Sequence, residues 1–472
     1  MSDASRQPFV EGQRDLTTPF SLELDGGTCE CVEVLRWLPG KRLVARARYS
    51  ERNVVVKLFI GRGAKRRFAR EKAGVAHLLA SRVRSPELID ASFLKKGFLK
   101  QGFLKNGSPN EVGRALIFEY VDATAVSVDA RQAAEAVATA LGCLHADGVV
   151  HRDLHLDNFM LAGDEVYVID GDSVKKQRGP LGEAPSLGHL AVFLAQYPPS
   201  EAVAIERLLA CYERARGWPP VTDRLSRLRA SVVVARQRRV HHFLAKTQRA
   251  CTEFVRFGDW RSNVLARREI FDEPLRTFAE DPETHLADGE IIKAGNSATV
   301  FRLDLGGQRV IVKRYNVKNL WHRVRRWFKP RARVAWRNGQ RLRFLGIPTA
   351  DPLVLVECRW GPLRGLAYLV MADRGNQDLA SQVASKGWQP AWLDAVAELF
   401  TDLRTAGLRH ADTKATNFLV QDDRVYLIDL DGMTERRDAR LGGAEDVRRF
   451  LANWQGEDLA VIEQRLRAAE LA

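Results

Sequence analysis

VVHRDLHLDNFMLAGDEVYVIDGD (149–172) decides how this chain is read, because GLRHADTKATNFLVQDDRVYLIDLD (407–431) repeats it. His151, Asp153, Asn158, Asp170 and Asp172 recur as His410, Asp412, Asn417, Asp429 and Asp431, every pair at the same 259-residue spacing. Five polar residues held in register half a protein apart imply two related domains. In each copy an Asp precedes an Asn by five residues, and a short apolar run then ends on a second Asp. Carboxylate and amide oxygens in that order suit a hydrated Mg2+, which keeps several waters and takes few protein ligands.

Working outward, 472 residues fit two domains better than one core. The junction is expected near 260–280, where FDEPLRTFAEDPETHLADGE (271–290) is acidic and proline-bearing, and the expected division is 1–265 and 266–472. Each half runs in the order strands, charged helix, strands, helix, motif, an α+β pattern. RLVARARY and NVVVKLF read as a hairpin with Ser50-Glu51-Arg52 at its turn, and ATVFRLDL with QRVIVKRY as the matching hairpin across Gly306-Gly307. A helix is expected over AKRRFAREKAGVAHLLAS, with Phe68, Val75, Leu78 and Leu79 on its apolar stripe. FLKKG, FLKQG and FLKNG (93–107) read as a surface hairpin lengthened by local duplication.

Hydrophobic content of 45% and charged content of 28% are those of a folded soluble protein. MSDASRQPFVEGQRD has no apolar stretch long enough for a signal peptide, and ALIF and AYLVMA are strand-length. Cys29 and Cys31 have no second pair at metal-ligand spacing, so the six cysteines read as free thiols in a reducing, cytoplasmic setting. A net charge of +14 predicts attraction to polyanions.

The repeated segment resembles the catalytic loop and metal-binding strand of the protein kinase fold. The resemblance implies two tandem kinase-like domains, each with a small β-rich lobe and a larger helical lobe, using ATP and Mg2+ to phosphorylate an alcohol. It implies that Asp153 orients the acceptor hydroxyl, that Asn158 and Asp170 hold Mg2+, and that Lys57, paired with Glu71, holds the α- and β-phosphates. In the second half it assigns Asp412, Asn417, Asp429 and Lys313 to the same roles. Aligning REKAGVAHLL with VAWRNGQRLR puts Ala335 where Glu71 stands, so Lys313 is expected to lack its partner. The second copy is then either a divergent active kinase or a substrate-binding relic. The pattern departs from protein kinases elsewhere: WLPGKRLVARA offers only Gly40, His155 stands where a lysine is usual, and no Ala-Pro-Glu signature follows. In these respects it is more similar to aminoglycoside and choline kinases.

Twelve Lys or Arg and no acidic residue lie between Lys313 and Arg343, interleaved with Trp321, Trp327, Phe328 and Trp336. KRYNVKN, that basic segment and LGIPTADPL resemble the lipopolysaccharide core kinases, most clearly over roughly 290–450. The resemblance implies that a heptose or Kdo sugar of the inner core is the acceptor. Lipopolysaccharide inner core with lipid A, met at the anionic inner-membrane surface, is the expected partner, and nucleic acid is not. ARQRRVHHFLAKTQRACTEFVRF (235–257) reads either as part of that basic face or as a solvated helix. A phosphotransferase for a small soluble alcohol, and a pseudokinase scaffold, are the alternatives.

Overall fold

The structure is a computed structural model and describes residues 16, 18–95, 113–126, 131–199, 205–316, 330–360, 363–435 and 439–471. Most of the FLKxG repeat, and Trp321, Trp327 and Phe328, lie outside them. The chain is a mixture of helix and sheet and divides into two compact units, Met1–Gln196 with Val203–Val232, and Tyr197–Ala202 with Val233–Ala472.

In the first unit β1 (Phe20–Leu24), β2 (Gly27–Leu38), β3 (Arg42–Tyr49), β4 (Arg52–Phe59), β5 (Leu88–Phe93) and β6 (Arg114–Glu119) form an antiparallel sheet ordered β1-β2-β3-β4-β6-β5. Its edges also meet. Leu24 bridges Leu94, the Asp25 amide donates to the Phe93 carbonyl at 2.9 Å, and the Lys95 amide donates to that of Glu23 at 2.8 Å. Strand alternation points Leu43, Ala45, Val54, Val56 and Leu58 into the enclosed core and leaves Arg42, Val44 and Lys57 on the other face. The β3–β4 turn is two residues, Ser50 and Glu51, at φ 48° and 62°. Arg52, expected in the turn, instead opens β4 opposite Tyr49. Helix α1 (Ala64–Leu79) buries Glu71, Gly74, Val75 and Leu78, while Leu79, expected on its apolar stripe, is exposed.

The repeated motif follows α2 (Arg131–Ala146). It lies on β8 (Val149–His151) and the hairpin β9 (Phe159–Ala162) and β10 (Glu165–Val168), with β7 (Thr124–Ala125) beside β9 and β11 (Val174–Lys176) beside β8. Helices α3 (Glu183–Leu194) and α4 (Ile205–Arg216) follow. The boundary between the units falls inside α5 (Thr222–Lys246).

The second unit carries a seven-stranded sheet ordered β12-β13-β17-β18-β16-β15-β14. Its strands are β12 (Phe254–Gly258), β13 (Ser262–Arg267), β14 (Glu290–Ala294), β15 (Ala298–Leu305), β16 (Gln308–Tyr315), β17 (Pro352–Trp360) and β18 (Leu363–Ala372). A division at 265/266 would cut β13, which pairs along β17. The segment expected as a junction is also folded into this unit, as α6 (Glu273–Glu280) and α7 (Pro282–Ala287). Its acidic and proline residues are helix-start signals: Asp272 and Asp281 accept from Leu275 and Thr284 amides, each helix has a proline in its first turn, and Leu275, Phe278 and Leu286 pack on the sheet. The basic run 235–257 buries Val240, Phe243, Leu244 and Phe254, with Arg236 buried too, so it is neither a solvated helix nor wholly a charged surface.

Helix α8 (Arg331–Leu345), the short strand β19 (Leu408–Arg409) and the hairpin β20 (Phe418–Gln421) and β21 (Arg424–Leu427) position the second copy of the motif over a core built on Trp336, Phe400, Phe418 and Phe450. All six cysteines are free. Among the described residues no helix is long and apolar enough to cross a membrane.

Candidate active site

Both copies of the motif fold the same way. The buried imidazoles of His151 and His410 each place Nε2 2.9 Å from a carbonyl, of Ile169 and Ile428 respectively. A carbonyl only accepts, so Nε2 carries the proton in both. The Asn158 amide donates to the Asp153 carbonyl at 2.7 Å, and that of Asn417 to the Asp412 carbonyl at 2.8 Å, which leaves each Asn oxygen as the free end. Strand β10 and its counterpart β21 lead to Asp170 and Asp429, both with left-handed backbone (φ 69° and 62°). Asp and Asn tolerate that region better than most residues, and the turn re-aims the side chain off the strand. Asp153 is exposed.

In the first unit Lys57 Nζ lies 2.5 Å from Glu71 Oε1 and 3.5 Å from Asp170 Oδ1. Glu71 also accepts from the amides of Gly171 at 3.2 Å and Asp172 at 3.0 Å. Burial raises its pKa against the pull of the Lys57 ammonium. Burial pushes Asp170 upward too, but the Lys57 charge, Glu71 and Arg42 hold it below the ordinary aspartate value. Helix α1 reaches the motif because Gly74 and Gly171 touch: a Cβ on Gly74 would sit 1.8 Å from the Gly171 carbonyl oxygen. Asp170 Oδ1 is buried and has no hydrogen-bond partner, its ion-pair partners being Lys57 at 3.5 Å and Arg42 at 3.7 Å. The Ile169 amide donates to the Asn158 carbonyl at 3.0 Å, which brings the two ends of the β9–β10 hairpin together, and an open carboxylate oxygen beside an amide side chain fits a divalent cation that keeps water and phosphate ligands.

The second unit assembles the same residue types differently. Ala335 does stand where Glu71 stands: three residues on, Asn338 donates to the Leu430 and Met433 carbonyls at 2.9 Å, as Gly74 meets Gly171. Lys313 is not left without a partner, however. Its Nζ lies 2.6 Å from Asp429 Oδ1 and 3.5 Å from Asp431 Oδ2, and Asp431 is held in turn by Arg331 at 2.7 Å. Burial raises Asp431, reinforced by Asp429, whereas Asp429 is lowered despite burial by Asp431 and Lys313. Beside Lys313, a cavity is lined by Ala335, Leu369, Met371, Ile428 and Asp429. Asp412 accepts from Asn417 through Oδ2 at 3.2 Å.

Two supports of the loops carry no sequence signal. In the first unit His189 Nε2 lies 2.9 Å from the His151 carbonyl, His189 Nδ1 lies 2.7 Å from His145 Nε2, and His145 Nδ1 lies 2.7 Å from the Tyr212 hydroxyl. The carbonyl forces His189 Nε2 to donate. Burial lowers the pKa of both rings, and with both neutral His145 Nε2 donates to His189 Nδ1 and Tyr212 to His145 Nδ1. In the second unit the Asp446 carboxylate accepts from the His410 amide at 2.6 Å and the Ala411 amide at 3.0 Å.

The basic stretch is less available to anions than its composition implies. Lys318, Arg323, Arg325, Arg326 and Lys329 lie outside the described residues. Of the rest, Arg314 pairs with Glu283, Arg331 with Asp431, Arg333 with Glu357, Arg341 with Glu435 and Arg343 with Glu269, while Lys313 is held by Asp429. Trp336, interleaved with these cations in the sequence, is fully buried in the core.

Among known proteins, residues 294–466 match the model of the lipopolysaccharide kinase (Kdo/WaaP) family. A solved structure described as WaaP in complex with acyl carrier protein is 19% identical, covering 44% of this chain and 88% of that one with a TM-score of 0.31. No curated protein matches the chain. Lys313, Ala335, Asp412, Asn417 and Asp429 all lie within the segment that matches this family.

Proposed function

We propose that this chain transfers the γ-phosphoryl group of ATP to a sugar hydroxyl of the lipopolysaccharide inner core, heptose first, through two tandem kinase-like units that divide within α5. The observation that carries the assignment of transfer to the first unit is the Lys57–Glu71 pair at 2.5 Å, with Glu71 pinned by two motif amides. A lysine held in this way is preorganised to meet the α- and β-phosphates without moving. Asp153 orients the sugar hydroxyl and accepts its proton as the oxygen bonds to the γ-phosphorus and the bond to the bridging oxygen breaks, releasing ADP. Asn158 and Asp170 would hold Mg2+, which supplies charge neutralisation on the phosphates.

The match to the lipopolysaccharide kinase family falls in the second unit and supports this reading, with Asp412, Asn417, Asp429 and Lys313 as the corresponding residues. Ala335 in place of the helix glutamate, and Lys313 bonded to Asp429 at 2.6 Å, favour sugar binding over transfer there. The net charge of +14 supports a peripheral site at the anionic cytoplasmic face of the inner membrane, where lipid A with its core is met.

The test is phosphorylation of purified lipopolysaccharide core, read by mass spectrometry. Asp153→Asn is expected to lower transfer by roughly 10²- to 10⁴-fold, the scale of a positioned general base, and Asp412→Asn far less. The reverse order would move transfer to the second unit, and phosphorylation of small alcohols but not of core would replace the acceptor.

A further inference from the structure

A phosphate-binding turn normally presents glycine amides to the nucleotide, and this chain has only Gly40 at that place. Gly40 has φ 67° and nothing within 4 Å of a Cβ, so it meets the needs of a turn and no more. Two residues on, Arg42 opens β3. In the β3–β4 ladder Val44 lies opposite Lys57, so Arg42 lies on the same face, one pleat further along. The side chains of Arg42 and Lys57 converge on one atom, Asp170 Oδ1, at 3.7 and 3.5 Å. Among the described residues Asp170 is the ion-pair partner recorded for Arg42, whose side chain is only 16% exposed.

We infer that Arg42 is a second phosphate-binding cation of the first unit, contacting the nucleotide's polyphosphate in place of the missing glycine amides. The inference rests on the reading of that unit as an ATP-dependent kinase. A guanidinium largely removed from water, facing a carboxylate oxygen beyond close hydrogen-bond distance, has donors to spare for an anion. Its planar fork matches phosphate oxygens two at a time. The second unit lacks this group. Val300 lies opposite Lys313 there, which puts Ala298 at the register of Arg42, and Lys313 closes directly on Asp429 at 2.6 Å. The two copies therefore differ in a cation as well as in a glutamate, and both differences favour nucleotide binding in the first.

Calorimetric binding of ATP, ADP and adenosine to the full chain tests this, with every protein made in a Lys313→Ala background so that the first unit is read. Arg42→Ala is expected to weaken ATP and ADP about ten- to hundred-fold, the scale of a charge-assisted hydrogen bond, and to leave adenosine unchanged. Arg42→Lys keeps the charge without the fork and should fall between. The β3 ladder is made by backbone groups, so an unchanged melting temperature is expected; if Arg42→Ala melts early, Arg42→Lys decides. ATP affinity unchanged in a folded variant overturns the role of Arg42 and leaves the kinase reading standing. Equal loss for ATP and adenosine also overturns it, because Arg42 would then shape the pocket. Absence of ATP binding in the Lys313→Ala parent overturns both.

Discussion

At the scale of single residues, the polar atoms that matter are decided by which neighbour can only accept or only donate. The His189–His145–Tyr212 chain is the clearest case, since with both rings neutral the His151 carbonyl sets every proton in it. Burial pushes His145 down to about 3, with His189 and Arg216 acting in the same direction, and His189 down to about 4, against an ordinary value of 6.5. The unfolded chain therefore binds protons that the folded chain refuses between pH 6.5 and pH 4. Stability is complete above that window and is lost as the pH falls through it, by up to about 1.4 kcal/mol per pH unit for each histidine. His189→Gln, which keeps a donor and an acceptor but does not titrate, is expected to flatten the fall in melting temperature between pH 7 and pH 5. His189→Leu orphans buried partners on both sides and is expected to cost about 2–4 kcal/mol in denaturant unfolding. An unchanged acid slope in His189→Gln would remove the chain as its source. The residues named in the motif were legible because they recur at one spacing. His189 and Asp446 were not, because what singles them out is a backbone atom brought to them from another element.

At the scale of elements, the two copies attach their helix to the motif by different means. Helix α1 meets the turn after Asp170 through glycine against glycine, and α8 meets the corresponding turn through the Asn338 amide. Gly74→Ala sets the two effects of an alanine against each other. Helix propensity favours it by about 1 kcal/mol, whereas a Cβ 1.8 Å from a backbone oxygen forces the helix away. The oxygen is backbone and cannot swing aside, so the clash wins, with an expected net loss of about 1–3 kcal/mol. Because the same helix carries Glu71, ATP affinity should fall with it; a variant as stable as the parent, with unchanged affinity, would show that α1 has room to shift. The hairpins were read from strand alternation with one residue of error at the Ser50-Glu51 turn, where both turn residues take positive φ without a glycine.

At the scale of the whole molecule, the division between the units departs from the one that composition suggests. Acidic and proline residues at 271–290 signal helix starts as well as linkers, and packing on the second sheet makes them the former. A fragment 266–472 would lose β12, four of the six residues of β13 and the α5 side chains Val240, Phe243 and Leu244, and is expected to show no cooperative melt by circular dichroism. A fragment beginning at 222 keeps them and should melt cooperatively; equal melts would place the boundary back at 265/266. By itself the sequence determined the duplicated motif, the polar residues that recur in it and the alanine at 335 that aligns with Glu71, because these are matters of residue type and spacing along one chain. Only the tertiary structure decided where the charges go: Lys313 to Asp429 and Asp431, Arg42 to Asp170, and the described cations of the basic stretch mostly to carboxylates. An ion pair is a fact of distance and burial between residues far apart in sequence, and no one-dimensional pattern encodes it.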